Sequence, residues 1–336
     1  MMDSHQVRAL QLKVQTEEMY GVFSSDRSLL LTGGDGANPK AHIWNIETGA
    51  CLQVFNGHRE PVAALAWAGD RQYLASGAFD RSVRLWDVPS GECLRVFSAH
   101  RSYVRSVEFS HSQERILSGS GDGSVRLWES ATGKLLQEFQ GHTDGVYHAV
   151  FDPSQTRILS GGRDHTIRLW EISTGQCLRS IAGAHVQCLA WHSGQRRFLS
   201  CAGDIRLWDS QTGECLRVFE GHTDTIRSVA WSHDQRHILS ASHDRSVRIW
   251  EAESGRCVAV LTGHGECVVN AVWTLAAPAA CGRSADMVGT CVDSQSRCHQ
   301  QLSSARIQCA AGRLLRQNHA CAEVGRRRAG IREVST

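Results

Sequence analysis

Tryptophan recurs at a fixed stride along this 336-residue chain: Trp44, Trp86, Trp128 and Trp170 stand 42 residues apart, Trp208 follows after 38 and Trp250 after another 42. A period of this length marks one supersecondary unit copied along the chain, and such a unit buries its apolar faces only by stacking on its neighbours. Polar residues keep the same register. His58, Ser76, Asp80 and Trp86 are separated by 18, 4 and 6 residues, and those gaps recur in His100, Ser118, Asp122 and Trp128, in His142, Ser160, Asp164 and Trp170, and in His222, Ser240, Asp244 and Trp250.

Each unit offers four short apolar runs bounded by turn residues, such as PVAALAW, QYLASG, SVRLWDV and ECLRVF separated by AGD, FDR and PSGE. The pattern predicts four strands joined by hairpins, with the resulting small twisted sheets closing radially into a propeller. The GH opening each unit, the central SG and Asp, and the Trp followed by an acid resemble the WD repeat over residues 19–273. Trp86-Asp87 and Trp208-Asp209 match it literally, while Trp128-Glu129, Trp170-Glu171 and Trp250-Glu251 are conservative variants. The resemblance implies an all-β propeller of four-stranded blades, seven-bladed with a degenerate last blade after six clear repeats.

The expected division is a propeller over 1–275 and, over 276–336, either a remnant of the seventh blade or an irregular Arg/Cys-rich tail. GHGECVVNAVW (263–273) opens a seventh unit, but residues 276–336 hold no Phe, Tyr or Trp, five cysteines and nine arginines. Stretches around Met287–Val292 and Ala305–Ala310 are candidate weak strands. QVRALQLKV near the N-terminus could supply the last strand, as in family members that pair their two ends. The rest of the tail is expected to be mobile, with a short helix near Ala310–Gln317, and the loss of pattern after Thr274 looks like a shifted frame or a truncated copy.

Ser, His and Asp in every full unit suggest a hydrolase triad, yet a nucleophile has to be singular and exposed, and this set recurs four times, always ending on a Trp. The residue types suit a structural network, in which Asp accepts from turn amides and an imidazole, the imidazole meets the Ser hydroxyl, and the indole N–H finds an acceptor. The resemblance places the His before the innermost strand, the Ser on the second, the Asp in the following turn and the Trp on the third. No enzymatic activity is expected. Unit five departs from the pattern, with His185 off the tetrad position although Ser200, Asp204 and Trp208 remain. In unit one Gly33–Lys40 lengthen the central hairpin, so both blades are expected to be softer.

Cys51, Cys93, Cys177, Cys215 and Cys257 share one repeat position that Leu135 fills in unit three, which predicts a small apolar filler. The nearest approach to a zinc set is Cys298-His299 with Cys291 and Cys309; no metal and no cofactor are expected. Gly-rich runs such as GSGDGS fall in hairpins and complete no phosphate-binding motif. Thirty-three of the 36 basic residues are Arg, and their scatter argues against nucleic acid as a partner. Without an apolar leader or a membrane-length run, the chain is expected to be cytoplasmic with no membrane partner.

If the tetrads only hold blades together, individuality lies where the repeats differ. In the family, partners dock on the face carrying the loops into the innermost strands, at the third and fifth residues after the GH histidine and the residue before the tetrad Asp. Carried over, these positions give Tyr103, Arg105, Tyr147 and Arg227, with Phe79, Arg163 and His243 before the Asp. Tyr and Arg are enriched in interface hot spots, and the cationic bias suggests an acidic or phosphorylated peptide. Either these residues bind a partner or Tyr103 and Tyr147 cover the rims of adjacent blades. The expected function is a protein-binding scaffold, the alternative a sensor or regulatory fragment of a larger signalling protein such as a kinase, with a hydrolase a distant third.

Overall fold

The computed structural model describes residues 9–12, 18–183, 185–275, 286–293 and 298–301, all within the compact unit Met1–Ala305. Among the described residues every helix or strand is a β-strand, and the strands form seven four-stranded antiparallel sheets. In the first six sheets the strands follow chain order from the inside outward. The innermost are Glu18–Phe23, Val62–Trp67, Val104–Phe109, Val146–Phe151, Cys188–Trp191 and Ile226–Trp231. Blade three is typical: Val104–Phe109, Arg115–Ser120, Val125–Glu129 and Leu135–Phe139, with Ile116 opposite Trp128 and Ser118 opposite Arg126.

Turn chemistry explains the regularity. In the hairpin leaving the innermost strand of each of the first six blades, Arg27, Arg71, Gln113, Gln155, Gln195 and Gln235 adopt φ of 59–63°. This left-handed conformation costs an L-residue roughly 1–2 kcal/mol, offset by the turn bond it closes, as Gln113 N–H donates to Ser110 O at 2.9 Å. The hairpin before each outer strand uses glycine for the same purpose, as at Gly91 with φ 75°.

Blades pack through two repeated contacts. A small residue on the second strand of one blade receives the β-branched residue that starts the next. A Cβ on Gly77 would lie 2.6 Å from Val104 Cγ1, and one on Gly119 2.9 Å from Val146 Cγ1. Farther out, the last Phe of one blade's outer strand meets the next blade's Trp edge to face, Phe55 with Trp86 at 5.6 Å and Phe97 with Trp128 at 5.6 Å. These aromatics are almost wholly buried, and burying rings of this size dominates the inter-blade energy.

The seventh sheet has Val268–Leu275 innermost, then Asp286–Asp293 and Cys298–Gln301, with the N-terminal Ala9–Leu12 outermost. Ala9 pairs with Gln301 and Leu12 with Cys298, so the two ends of the chain share one sheet. The expected strand at Met287–Val292 lies inside Asp286–Asp293. The third strand is Cys298–Gln301; Ala305–Ala310 and the helix expected at Ala310–Gln317 fall outside the described residues, as does the rest of the tail expected to be mobile. The seam with blade one carries Arg27 Nη2 donating to Trp273 O at 3.1 Å and Asn270 Nδ2 donating to Gly21 O at 3.0 Å.

One expectation is corrected. The repeated cysteines are not core fillers: Cys51, Cys93, Cys177 and Cys215 are exposed, Cys257 is half-buried and Leu135 is 37% exposed. The outermost strand of a blade has a neighbour on one side only, and this position faces away from the next blade. Its thiol turns back on its own strand, Cys93 Sγ reaching Arg95 O at 3.4 Å. Exchange between Cys and Leu therefore reflects tolerance at an edge.

Candidate partner-binding face and the networks beneath it

Blades two, three, four and six build one constellation four times. His58 Nδ1 meets Asp80 Oδ2 at 2.9 Å, His58 Nε2 meets Ser76 Oγ at 2.7 Å, and Trp86 Nε1 donates to the same Oγ at 2.8 Å. The same three distances are 3.2, 2.7 and 2.8 Å for His100, Asp122, Ser118 and Trp128. They are 2.8, 2.7 and 2.7 Å for His142, Asp164, Ser160 and Trp170. For His222, Asp244, Ser240 and Trp250 they are 2.7, 2.7 and 2.9 Å.

The carboxylate sets the direction of the protons. Because Asp can only accept, the ring donates to it from Nδ1, and a neutral ring then accepts the Ser proton at Nε2 while the Ser oxygen accepts from Trp. Burial holds His100, His142 and His222 below their ordinary value, which keeps the rings neutral as this pattern requires. Burial alone would raise Asp122, but donors from His100, Ser124 and the Arg101 N–H outweigh it and hold the carboxyl well below the usual range. Asp244 is held at about 2, burial again being outweighed by Ser246 and His222.

A fifth member escaped the sequence reading. Ser82, Ser124, Thr166 and Ser246, each two residues after its Asp, donate to the carboxylate Oδ1 at 2.6, 2.6, 2.9 and 2.6 Å. The signal was present as Asp-x-Ser/Thr in those four units and absent from unit five, where Arg206 stands there. Ser76, Ser118, Ser160 and Ser240 have no exposed surface. Held by both indole and imidazole, none of them presents a nucleophile to solvent.

In blade five Trp208 still donates to Ser200 at 2.8 Å, but Asp204 pairs with Arg206 at 2.9 Å and His185 lies beside Tyr147, ring centres 5.0 Å apart. In blade one the corresponding bond runs from Trp44 to Thr32 at 2.7 Å.

Above the tetrads, one backbone bond per blade brings the expected binding positions together. Phe79 N–H donates to Pro61 O, Gly121 to Tyr103, Arg163 to Gly145 and His243 to Thr225, at 2.8–2.9 Å. The residue before the Asp and the third residue after the His therefore share a rung. Phe79 and Tyr103 rings lie 5.2 Å apart, and the Arg105 guanidinium sits 4.4 Å from the centre of the Tyr147 ring. Burial, and then Tyr147, with which its hydroxyl shares a hydrogen bond, push the Tyr103 phenol up. Across the ring, Arg227 donates to Gln187 Oε1 at 2.9 Å, while His243 is lowered by burial and by Arg227. Arg163 faces Asp144 at 3.9 Å with both side chains over half exposed, a geometry worth little.

Arg105, Tyr147, Gln187 and Arg227 open onto one axial channel of about 280 Å³, to which all seven innermost strands contribute. Gln187 was missed because the shortened loop of unit five breaks the count from its histidine; aligned through Val186 it occupies the position of Arg105, Tyr147 and Arg227. A larger cleft of about 840 Å³ lies at the opposite end of blades two and three, lined by Tyr73, Leu94, Phe109, Arg115 and Glu129 among others. It mixes both signs of charge and holds none of the expected binding residues.

Among the described residues no group of three or more His, Cys, Asp or Glu could hold a metal, and no helix is long and apolar enough to cross a membrane. Cys309 lies outside the described residues.

The family model "WD domain, G-beta repeat" matches five segments: 49–87, 91–129, 133–171, 175–209 and 213–251. The chain belongs to the WD40 repeat family. Each WD40 segment begins at the turn before the outer strand of one blade and ends on the third strand of the next, so every sequence repeat bridges two blades. Among similar proteins, periodic tryptophan protein 2 of Arabidopsis thaliana is 37% identical over 62 residues, 18% of this chain and 7% of its own length. A homologue of that protein in Neurospora crassa is 44% identical over 43 residues, 13% and 5% of the respective chains. The Saccharomyces cerevisiae protein is 31% identical over 55 residues, 16% and 6%. The matches thus span only a small fraction of these relatives.

Proposed function

We propose that this WD40 propeller is a non-catalytic interaction scaffold that binds partner proteins through the face carrying Phe79, Tyr103, Arg105, Tyr147, Arg163, Arg227 and His243. The observation that carries the reading is the convergence of Arg105 and Arg227 on the mouth of one channel beside Tyr147 and Tyr103. The buried tetrads that unify the blades present no chemistry there. Two guanidiniums with aromatic flanks favour an extended peptide bearing an acidic or phosphorylated side chain, held by charge-assisted bonds and ring contact. Scaffold work in the cytoplasm is part of the same proposal.

The test is a peptide array of acidic, phosphorylated and neutral sequences probed with the full chain. Arg105→Ala and Arg227→Ala should each weaken capture roughly tenfold or more, with little change in the unfolding midpoint. Capture unaffected by both, but lost on changing the exposed outer-strand residues Leu178 and Val96, would move the site to the rim.

A further inference from the structure

Blade five differs from every other blade at one further pair of positions. Cys188 on its innermost strand and Cys201 on its second are directly opposed in the antiparallel register. In other blades the same rung holds Ala64 opposite Gly77, Ser106 opposite Gly119, His148 opposite Gly161 and Ser228 opposite Ala241. Among the described residues, only here do two thiols face each other across a rung. Directly opposed residues of an antiparallel pair lie about 4.5–5.5 Å apart at Cα, within the span a disulfide bridges.

The two sulfurs sit in unlike surroundings. Cys201 is buried, 2% exposed, with its sulfur 3.5 Å from Ile226 O. Cys188 is half-buried and lines the axial channel. Cys188 Sγ lies 3.8 Å from Leu189 O, and the neighbouring Cys201 thiol, then His148 and the Val229 N–H, hold Cys188 below the usual thiol range against burial. Burial pushes Cys201 up. One sulfur thus opens on the channel, where small solutes reach it, and its neighbour is a buried thiol placed for the second step.

We propose that Cys188 and Cys201 form a peroxide-responsive dithiol that closes to a reversible cross-strand disulfide. The Cys188 thiolate attacks one oxygen of a hydroperoxide; the S–O bond forms, the O–O bond breaks, and the alkoxide or hydroxide released is protonated. Cys201, losing its proton, then attacks the Cys188 sulfenic sulfur, so that the S–S bond forms and the S–O bond breaks with release of water. Two thiols are oxidised by two electrons and one peroxide is reduced. Closure withdraws the Cys188 sulfur from the Val229 N–H and so loosens the seam between blades five and six.

The intact chain, treated with hydrogen peroxide and alkylated, is digested with trypsin without reductant. Cys188 lies in peptide 180–196 and Cys201 in 198–206, and the linked pair should exceed any other cysteine pairing by roughly tenfold. Dithiothreitol should restore both peptides. Cys201→Ala should leave Cys188 as a sulfenic acid captured by a 1,3-dione probe, and Cys188→Ala should leave Cys201 unreacted. Both substitutions place a residue that another blade carries at the same rung, so folding, checked by circular dichroism, is expected to survive. Peroxide sufficient to oxidise the exposed Cys93 without linking the two peptides, or linkage appearing only in urea, would overturn the proposal.

Discussion

At the scale of single residues, what distinguishes a complete tetrad from a broken one is the number of donors its Asp must satisfy. Asp122 accepts from His100, from Arg101 N–H at 2.7 Å, and from Ser124 N–H and Oγ at 2.9 and 2.6 Å. Asp122→Ala leaves these groups buried without a partner and should cost about 2–4 kcal/mol. Asp204 meets only the half-exposed Arg206 through its side chain, so Asp204→Ala should cost under about 1 kcal/mol. Equal losses in chemical denaturation would contradict this difference between blades. Glu108 gives a second test. Burial raises its carboxyl to about 8, opposed by the Phe151 N–H bonded to it. The folded state therefore holds this proton where the unfolded chain, near 4.5, has lost it. Stability from this group is complete below about pH 4.5 and falls as pH rises towards 8, by at most about 5 kcal/mol and by less where solvent reaches the partly exposed side chain. The neutral tetrad histidines act oppositely, since their lowered values remove stability as pH falls below the unfolded 6.5. Unfolding midpoints across pH should be highest at intermediate pH, and Glu108→Gln should flatten the alkaline limb. An unchanged limb would mean that Glu108 titrates normally.

Between elements, the decisive contact is a missing side chain. Gly77 lets Val104 of the next blade seat against the second strand, and a larger group must displace that blade. Gly77→Leu should cost about 3 kcal/mol by overpacking. Gly203, with no atom within 4 Å of a Cβ built there, should accept alanine within about 0.5 kcal/mol. Thermal denaturation of the two variants checks this, and a tolerated Gly77→Leu would show that the blades are not in close register at that rung.

For the whole molecule, the question is what closes the ring. The strand Ala9–Leu12 pairs only with Cys298–Gln301, so deleting residues 1–14 takes the outer strand from the seventh blade while leaving the other six intact. The unfolding midpoint should fall by several degrees, about 3–8 °C, and hydrogen exchange should rise first in Val268–Leu275 and Glu18–Phe23. A midpoint unmoved by the deletion would show that closure does not depend on the N-terminal strand.

The spacing of Trp, His, Ser and Asp was enough to specify the repeat, the four-stranded blade, the propeller and the choice of tetrad over triad. Each of these follows from local periodicity and from hydrogen-bonding capacity, both properties of residues in order. Asp-x-Ser/Thr was equally legible and was passed over. Tertiary structure alone decided the rest. That the repeated cysteines face solvent depends on which strand is the edge of its sheet, and that Gln187 joins Arg105 and Arg227 depends on alignment through Val186 across a shortened loop. The opposition of Cys188 and Cys201 is a matter of strand register. Contacts between strands are set by pairing and ring closure, and a linear period carries no record of them.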